Sequence, residues 1–165
     1  MPDRPDGGGG PEEPRILVFS TNNISDPGID LAGSSHLHYP PGVVVIGLPC
    51  TSGVRPEWVL YAIQRGFDGV FIAADGEECG YLSDCTERSA RIFKRAQDLL
   101  TEHGLEPRRL KMAAICSVCA EPFVDHIREF SAALAELGPV TAAPVEPGSG
   151  GSAPTGLAQV RKGYE

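Results

Sequence analysis

Residues 43–74 read VVVIGLPCTSGVRPEWVLYAIQRGFDGVFIAA. Val43 to Leu48 (VVVIGL) and Gly69 to Ala74 (GVFIAA) are short, nearly continuous apolar runs, as expected of strands buried on both faces of a parallel sheet. Between them Pro56-Glu57 opens a stretch in which Val59, Ala62, Ile63 and Gly66 keep the i, i+3, i+4, i+7 spacing of one helix face. Strand, helix and strand in that order form a βαβ unit.

The same alternation extends in both directions. Arg15 to Ser20 (RILVFS) and Lys111 to Cys116 (KMAAIC) are two more apolar runs of strand length. After the first, Asp26 before Pro27 reads as an N-cap with proline at the first helical position, opening a short helix through Leu31. A long helix is predicted from Ser83-Asp84, with Glu87 in its first turn, Ile92, Ala96, Leu99 and Leu100 buried, and an end at His103-Gly104. The last begins at Glu121-Pro122 and carries Phe123, Ile127, Phe130 and Leu134 on one face. Four repeats of strand then helix predict an α/β fold, a flavodoxin-like doubly wound parallel sheet of about four strands.

Composition sets the limits around that core. The chain has 165 residues, 41% of them hydrophobic and 22% charged, which suits one domain with a real core. Residues 1–14 and 139–165 hold much of the glycine and proline and lack the apolar density to offset ordering entropy, so both are expected to be disordered tails. The apolar and basic stretch Leu157 to Tyr164 is read as part of the second tail. The net charge of -8 argues against nucleic acid and against an anionic membrane surface, whose binding needs clustered Lys and Arg. No apolar run reaches the ~20 residues of a membrane span, and the acidic start MPDRPD is no secretory signal, so a cytoplasmic location is expected. Thiols are kept reduced there, and five cysteines then read as metal or redox ligands before they read as disulfides.

Ligands of open α/β sheets bind outside the carboxyl ends of the strands. Cys50 follows the second strand, Cys79 lies in the loop after the third, Cys116 ends the fourth and Cys119 precedes the last helix. Those four are the predicted ligand set, with Cys85, at the start of the long helix, as the substitute. Soft thiolates select iron–sulfur clusters or zinc, and Cys116-Ser-Val-Cys119 supplies two sulfurs from one turn just before a helix N-terminus. A CxxC dithiol acting alone would leave the other thiols unexplained. Asp75, Glu77 and Glu78 beside Cys79 read as a solvated loop that could also ligate metal. His36 and His38 read as a polar loop, His103 as a helix end and His126 as a helix-surface residue. No G-x-G-x-x-G follows the first strand and no G-x-S-x-G elbow is present, so neither nucleotide binding by that route nor a hydrolase triad has a starting point.

Six short stretches, taken in order, carry a resemblance: Gly28-Ile-Asp-Leu-Ala-Gly33, His38-Tyr-Pro-Pro-Gly42, Pro49-Cys50 with Val54-x-Pro56-Glu57, Gly66-x-Asp-Gly-Val70, Glu78-Cys-Gly-Tyr81, and Gly104-Leu-Glu-Pro107 with Arg109-Leu110. With them residues 15–138 resemble the delta, iron–sulfur subunit of methyl-viologen-reducing hydrogenases, a family associated with heterodisulfide reductase flavoproteins. The resemblance implies a non-catalytic electron-transfer subunit with a [2Fe-2S] cluster, working with a heterodisulfide reductase A-like flavoprotein and other redox subunits. Cys50 and Cys79 match two of the family's cysteines. Where the family has cysteines after the first strand this chain reads Phe19-Ser-Thr-Asn-Asn-Ile24, and after the third it has Asp75-Gly76 in a shorter loop, while Cys116 and Cys119 stand where the family has none. Three readings stay open: a cluster whose ligands have moved to the fourth strand, a cluster-free structural or docking subunit, and a four-cysteine zinc module.

Overall fold

A computed structural model describes residues 13–76 and 79–140. Most of both predicted tails, the Leu157 to Tyr164 stretch, and Glu77 and Glu78 therefore lie outside the described residues. Four strands, β1 (Ile16–Thr21), β2 (Val43–Leu48), β3 (Gly69–Ala74) and β4 (Leu110–Ala114), form one parallel sheet in the order β2-β1-β3-β4. They alternate with four helices, α1 (Ser25–Ser34), α2 (Pro56–Gln64), α3 (Cys85–Glu102) and α4 (Ala120–Leu137). This is the doubly wound α/β arrangement read from the apolar runs.

Alternation along the strands divides the core into two layers. Ile16 and Val18 of β1, with Phe71 and Ala73 of β3, meet α1 and α4 through Ile29, Phe123, Ile127, Phe130 and Leu134. Leu17 and Phe19, with Val70 and Ile72, meet α2 and α3 through Val59, Ile63, Ala96 and Leu100. Each of these fully buried large side chains stabilises the fold by about 1.5–3 kcal/mol relative to exposure. Gly69 is required by the first layer, because a Cβ there would stand 2.8 Å from the Phe130 ring and closer still to Leu134.

Two expectations are corrected. β2 is not buried on both faces: it is an edge strand, and Val44 and Ile46 remain 45% and 43% exposed on the α2 side. An edge strand of a four-stranded sheet is not covered along its outer flank, whatever the apolarity of its sequence. The first helix begins at Ser25, one residue before the expected cap, and runs on to Ser34. The Asp26 carboxylate does not cap it but accepts the Ser20 hydroxyl at 2.7 Å, while the Thr21 hydroxyl oxygen accepts the Ser25 amide at 3.1 Å. Pro27 is still accommodated, since no N–H in the first turn has an intrahelical acceptor. In α3, Ala96 and Leu100 are fully buried, whereas Ile92 and Leu99 are half-buried.

Candidate functional site

In the strand order β2-β1-β3-β4 the chain winds outward in opposite directions from β1 and β3, so the crevice between their carboxyl ends is where such sheets take ligands. A hydrogen-bonded group of side chains fills that point. The Thr21 hydroxyl donates to the Asp75 carboxylate directly after β3, and the Ser25 hydroxyl donates to the Ala73 carbonyl at 2.9 Å. Thr21, Ser25 and Asp75 are all buried, and among the described residues no buried side-chain nitrogen or oxygen lacks a partner. Ser20 and Thr21 thus place two buried hydroxyls at the carboxyl end of β1. Sequence reading passed over this pair; its signal is an apolar strand that ends on two hydroxyl residues, opposite another that ends on a carboxylate.

Two thiols gather beside Asp75, and a third touches one of them. Cys50 leaves β2 into a short 3-10 turn (Thr51–Gly53), and its sulfur lies 3.6 Å from that of Cys85, the first residue of α3. Cys79 enters from the β3–α3 loop, and ligating atoms of Asp75, Cys79 and Cys85 lie within 4.8 Å of one another. The Thr51 and Ser89 hydroxyls meet at 3.2 Å below, and the Thr86 hydroxyl ties α3 to the Gly76 carbonyl at 3.1 Å. Cys85 is only 3% exposed, and burial, followed by its contacts with Cys50 and Cys79, pushes its thiol up to about 11. A neighbouring cation removes that obstacle to ionisation. Asp75, Cys85, Thr51, Ser89 and Met112 line a cavity of about 170 Å³. That is below the roughly 300–1,000 Å³ of pockets for organic ligands and leaves room for a compact inorganic group.

Cys116 and Cys119 lie elsewhere. They are joined to each other by a disulfide, and their turn leaves β4 toward the α1–α4 layer, against which Cys119 packs. Thus the structure brings Cys50, Cys79 and Cys85 together and keeps the CxxC pair apart from them. Cys85, the substitute in the sequence reading, is at the centre of the group. His36 and His38 are exposed loop residues, and the ring Nδ1 of His103 lies 2.9 Å from the Leu99 carbonyl at the end of α3. His126 is half-buried, with Phe71 and Glu129 for neighbours.

Fold and site together define a doubly wound α/β domain that carries a thiol cluster at its topological switch point. Residues 16–138 match the family model described as FlpD: methyl-viologen-reducing hydrogenase, delta subunit, and the chain belongs to this family. It is 35% identical over 132 residues to the D-type iron-sulfur subunit of the F420-non-reducing hydrogenase of Archaeoglobus profundus, covering 77% of this chain and 93% of that one. The corresponding vhu hydrogenase iron-sulfur subunit of Methanopyrus kandleri is 33% identical, covering 78% of this chain and 98% of the relative. The A-type subunit of the ferredoxin:CoB-CoM heterodisulfide reductase of Methanosarcina mazei is 34% identical over 128 residues. There the match covers 77% of this chain but spans only 16% of the relative.

Proposed function

We propose that this chain is a non-catalytic electron-transfer subunit carrying a [2Fe-2S] cluster, held by Cys50, Cys79 and Cys85 with the Asp75 carboxylate as the fourth donor. The observation that carries the reading is the grouping of Asp75, Cys79 and Cys85, whose ligating atoms lie within 4.8 Å of one another, with the Cys50 sulfur 3.6 Å from Cys85, beside a small cavity lined by Asp75 and Cys85. The donor chemistry fits, because thiolates are the ordinary ligands of iron–sulfur clusters. When bound, the cluster supplies a one-electron carrier.

Every other part of the role belongs to the protein. Thr21 fixes the Asp75 carboxylate through its hydroxyl, so that donor is oriented before anything binds. Ser52 does the same for Cys50, hydroxyl oxygen to sulfur at 3.0 Å. Cys85 is the first residue of α3, where the helix dipole favours thiolate once a cation offsets burial. Met112, Ala113 and Ala114 of β4 line the cavity beside Asp75 and Cys85.

The reading also places the chain in a complex with a heterodisulfide reductase A-like flavoprotein and other redox subunits. The likeness to a segment of a heterodisulfide reductase supports this. So does the uncovered flank of β2, where Val44, Ile46, Trp58 and Tyr61 are exposed beside the strand that leads to Cys50. Among the described residues no helix is long and apolar enough to cross a membrane.

Anaerobic purification with iron and acid-labile sulfide analysis, and EPR of the reduced protein, tests the cluster. Equal iron and sulfide with a spin signal on reduction is expected. Zinc without sulfide would support a zinc module instead, since the same donors suit zinc. A colourless, metal-free chain that cannot be reconstituted would leave a structural or docking subunit.

A further inference from the structure

We propose that Cys116 and Cys119 form a second redox centre, separate from the metal site: a dithiol–disulfide pair that exchanges two electrons with a dithiol of a partner molecule. This goes beyond the cluster reading and does not depend on it. The geometry brings the Cys116 and Cys119 sulfurs within bonding distance, whereas the Cys50 and Cys85 sulfurs stand 3.6 Å apart, so the CxxC turn is the cysteine pair shaped to close on itself. That turn is open to a macromolecular partner, with Ser117 exposed and Val118 75% exposed between the two half-buried cysteines. It closes a loop of only three residues' separation, too small for a large stabilising effect on the unfolded chain. A disulfide of that kind is placed for exchange and not for bracing the fold.

The two sulfurs have different roles. Cys119 stands at the N-cap of the 18-residue helix α4 and packs against the α1–α4 core. The helix dipole stabilises a thiolate at that position, which makes Cys119 the better leaving group. A thiolate of the incoming dithiol attacks Cys116 Sγ, the Cys116–Cys119 bond breaks, and Cys119 departs as thiolate. The second thiolate of the reductant then attacks the mixed disulfide and releases Cys116. The reductant loses two electrons and two protons and becomes a disulfide; Cys116 and Cys119 gain them and become thiols. The reverse sequence oxidises the pair. Gly28 of α1 accommodates the turn, since a Cβ there would come within 2.4 Å of the Cys116 carbonyl oxygen.

The test is a redox titration of the full chain in buffers of reduced and oxidised dithiothreitol, with acid quenching, alkylation and peptide mapping. The pair is expected to titrate as one two-electron couple in the folded protein. In the Cys116→Ser chain, Cys119 should begin to form a mixed disulfide with a small aromatic disulfide probe at lower pH than Cys116 does in the Cys119→Ser chain, because the helix N-terminus favours its thiolate. A pair that resists excess dithiothreitol while the protein stays folded overturns the proposal, as does one that stays fully alkylatable under oxidised dithiothreitol. Loss of bound iron in the Cys116→Ser chain also overturns it, because the sulfur would then be a metal ligand. Absence of iron from the unmutated chain would instead count against the cluster and leave this titration interpretable.

Discussion

Two sulfur sites share the carboxyl edge of the sheet, and they differ in almost every physical respect. The one between β2, β3 and α3 centres on the buried Cys85, which touches the half-buried Cys50 and Cys79 and shares a ligating group with Asp75, and it costs free energy to ionise without a cation. The other, between β4 and α4, has two half-buried sulfurs with an exposed turn between them and is closed on itself as a disulfide. The difference lies in which helix face follows each strand. α3 begins on a cysteine whose side chain turns into the switch-point crevice, whereas the β4–α4 turn folds over α1 and carries its sulfurs to the opposite layer. Equal cysteine chemistry thus gives one site suited to a metal and one suited to exchange.

The largest expected effect separates the two directly. Cys85→Ala should abolish stable metal binding, measured as iron per chain after desalting, because it removes the thiol that touches both other sulfurs. Next is Thr21→Val, which leaves the buried Asp75 carboxylate without its hydroxyl donor. It should cost about 1–3 kcal/mol in urea unfolding and weaken metal binding, with the CxxC titration unchanged. Gly28→Ala is its counterpart on the other face. It should cost about 1–3 kcal/mol by crowding the Cys116 carbonyl and alter the CxxC titration, with iron content unchanged.

A smaller effect follows from pH. In the metal-free chain the Cys85 thiol is raised from 9.0 to about 11, so the unfolded chain ionises first as pH rises. Stability should be full below pH 9 and fall by about 2 kcal/mol at most as pH passes toward 11. A melting series over that range should show the fall, and Cys85→Ala should flatten it. Smallest of all is Arg88→Ala near the site. It breaks a 2.7 Å ion pair with the Asp84 carboxylate, which Arg88 holds below the usual carboxylate range, and the pair is exposed. The expected loss in urea unfolding is close to none, because water and salt screen an exposed pair.

Much of the fold was legible because local pattern and tertiary role coincide. GVFIAA is buried on both faces as its apolarity implies, and the α4 face of Phe123, Ile127, Phe130 and Leu134 is the face that packs. VVVIGL misled on burial, since an apolar run reads the same in a central strand and at an edge. At the site, the edge of the sheet was readable from the positions of Cys50 and Cys79. The partnership among thiols was not, because it depends on the side from which each helix approaches. A CxxC spelled as a ligand pair is identical to one that closes on itself. The Thr21–Asp75 pair was also hidden, as its two residues are 54 apart in sequence and meet only through the pairing of β1 with β3.

The most direct test of the central claim compares two chains purified anaerobically in parallel, Cys50→Ser/Cys85→Ser and Cys116→Ser/Cys119→Ser, for iron, acid-labile sulfide and the EPR signal after reduction. The account predicts that the first pair of substitutions removes iron, sulfide and signal, and that the second leaves all three as in the unmutated chain. Loss of the cluster from the second chain, with retention in the first, would contradict it.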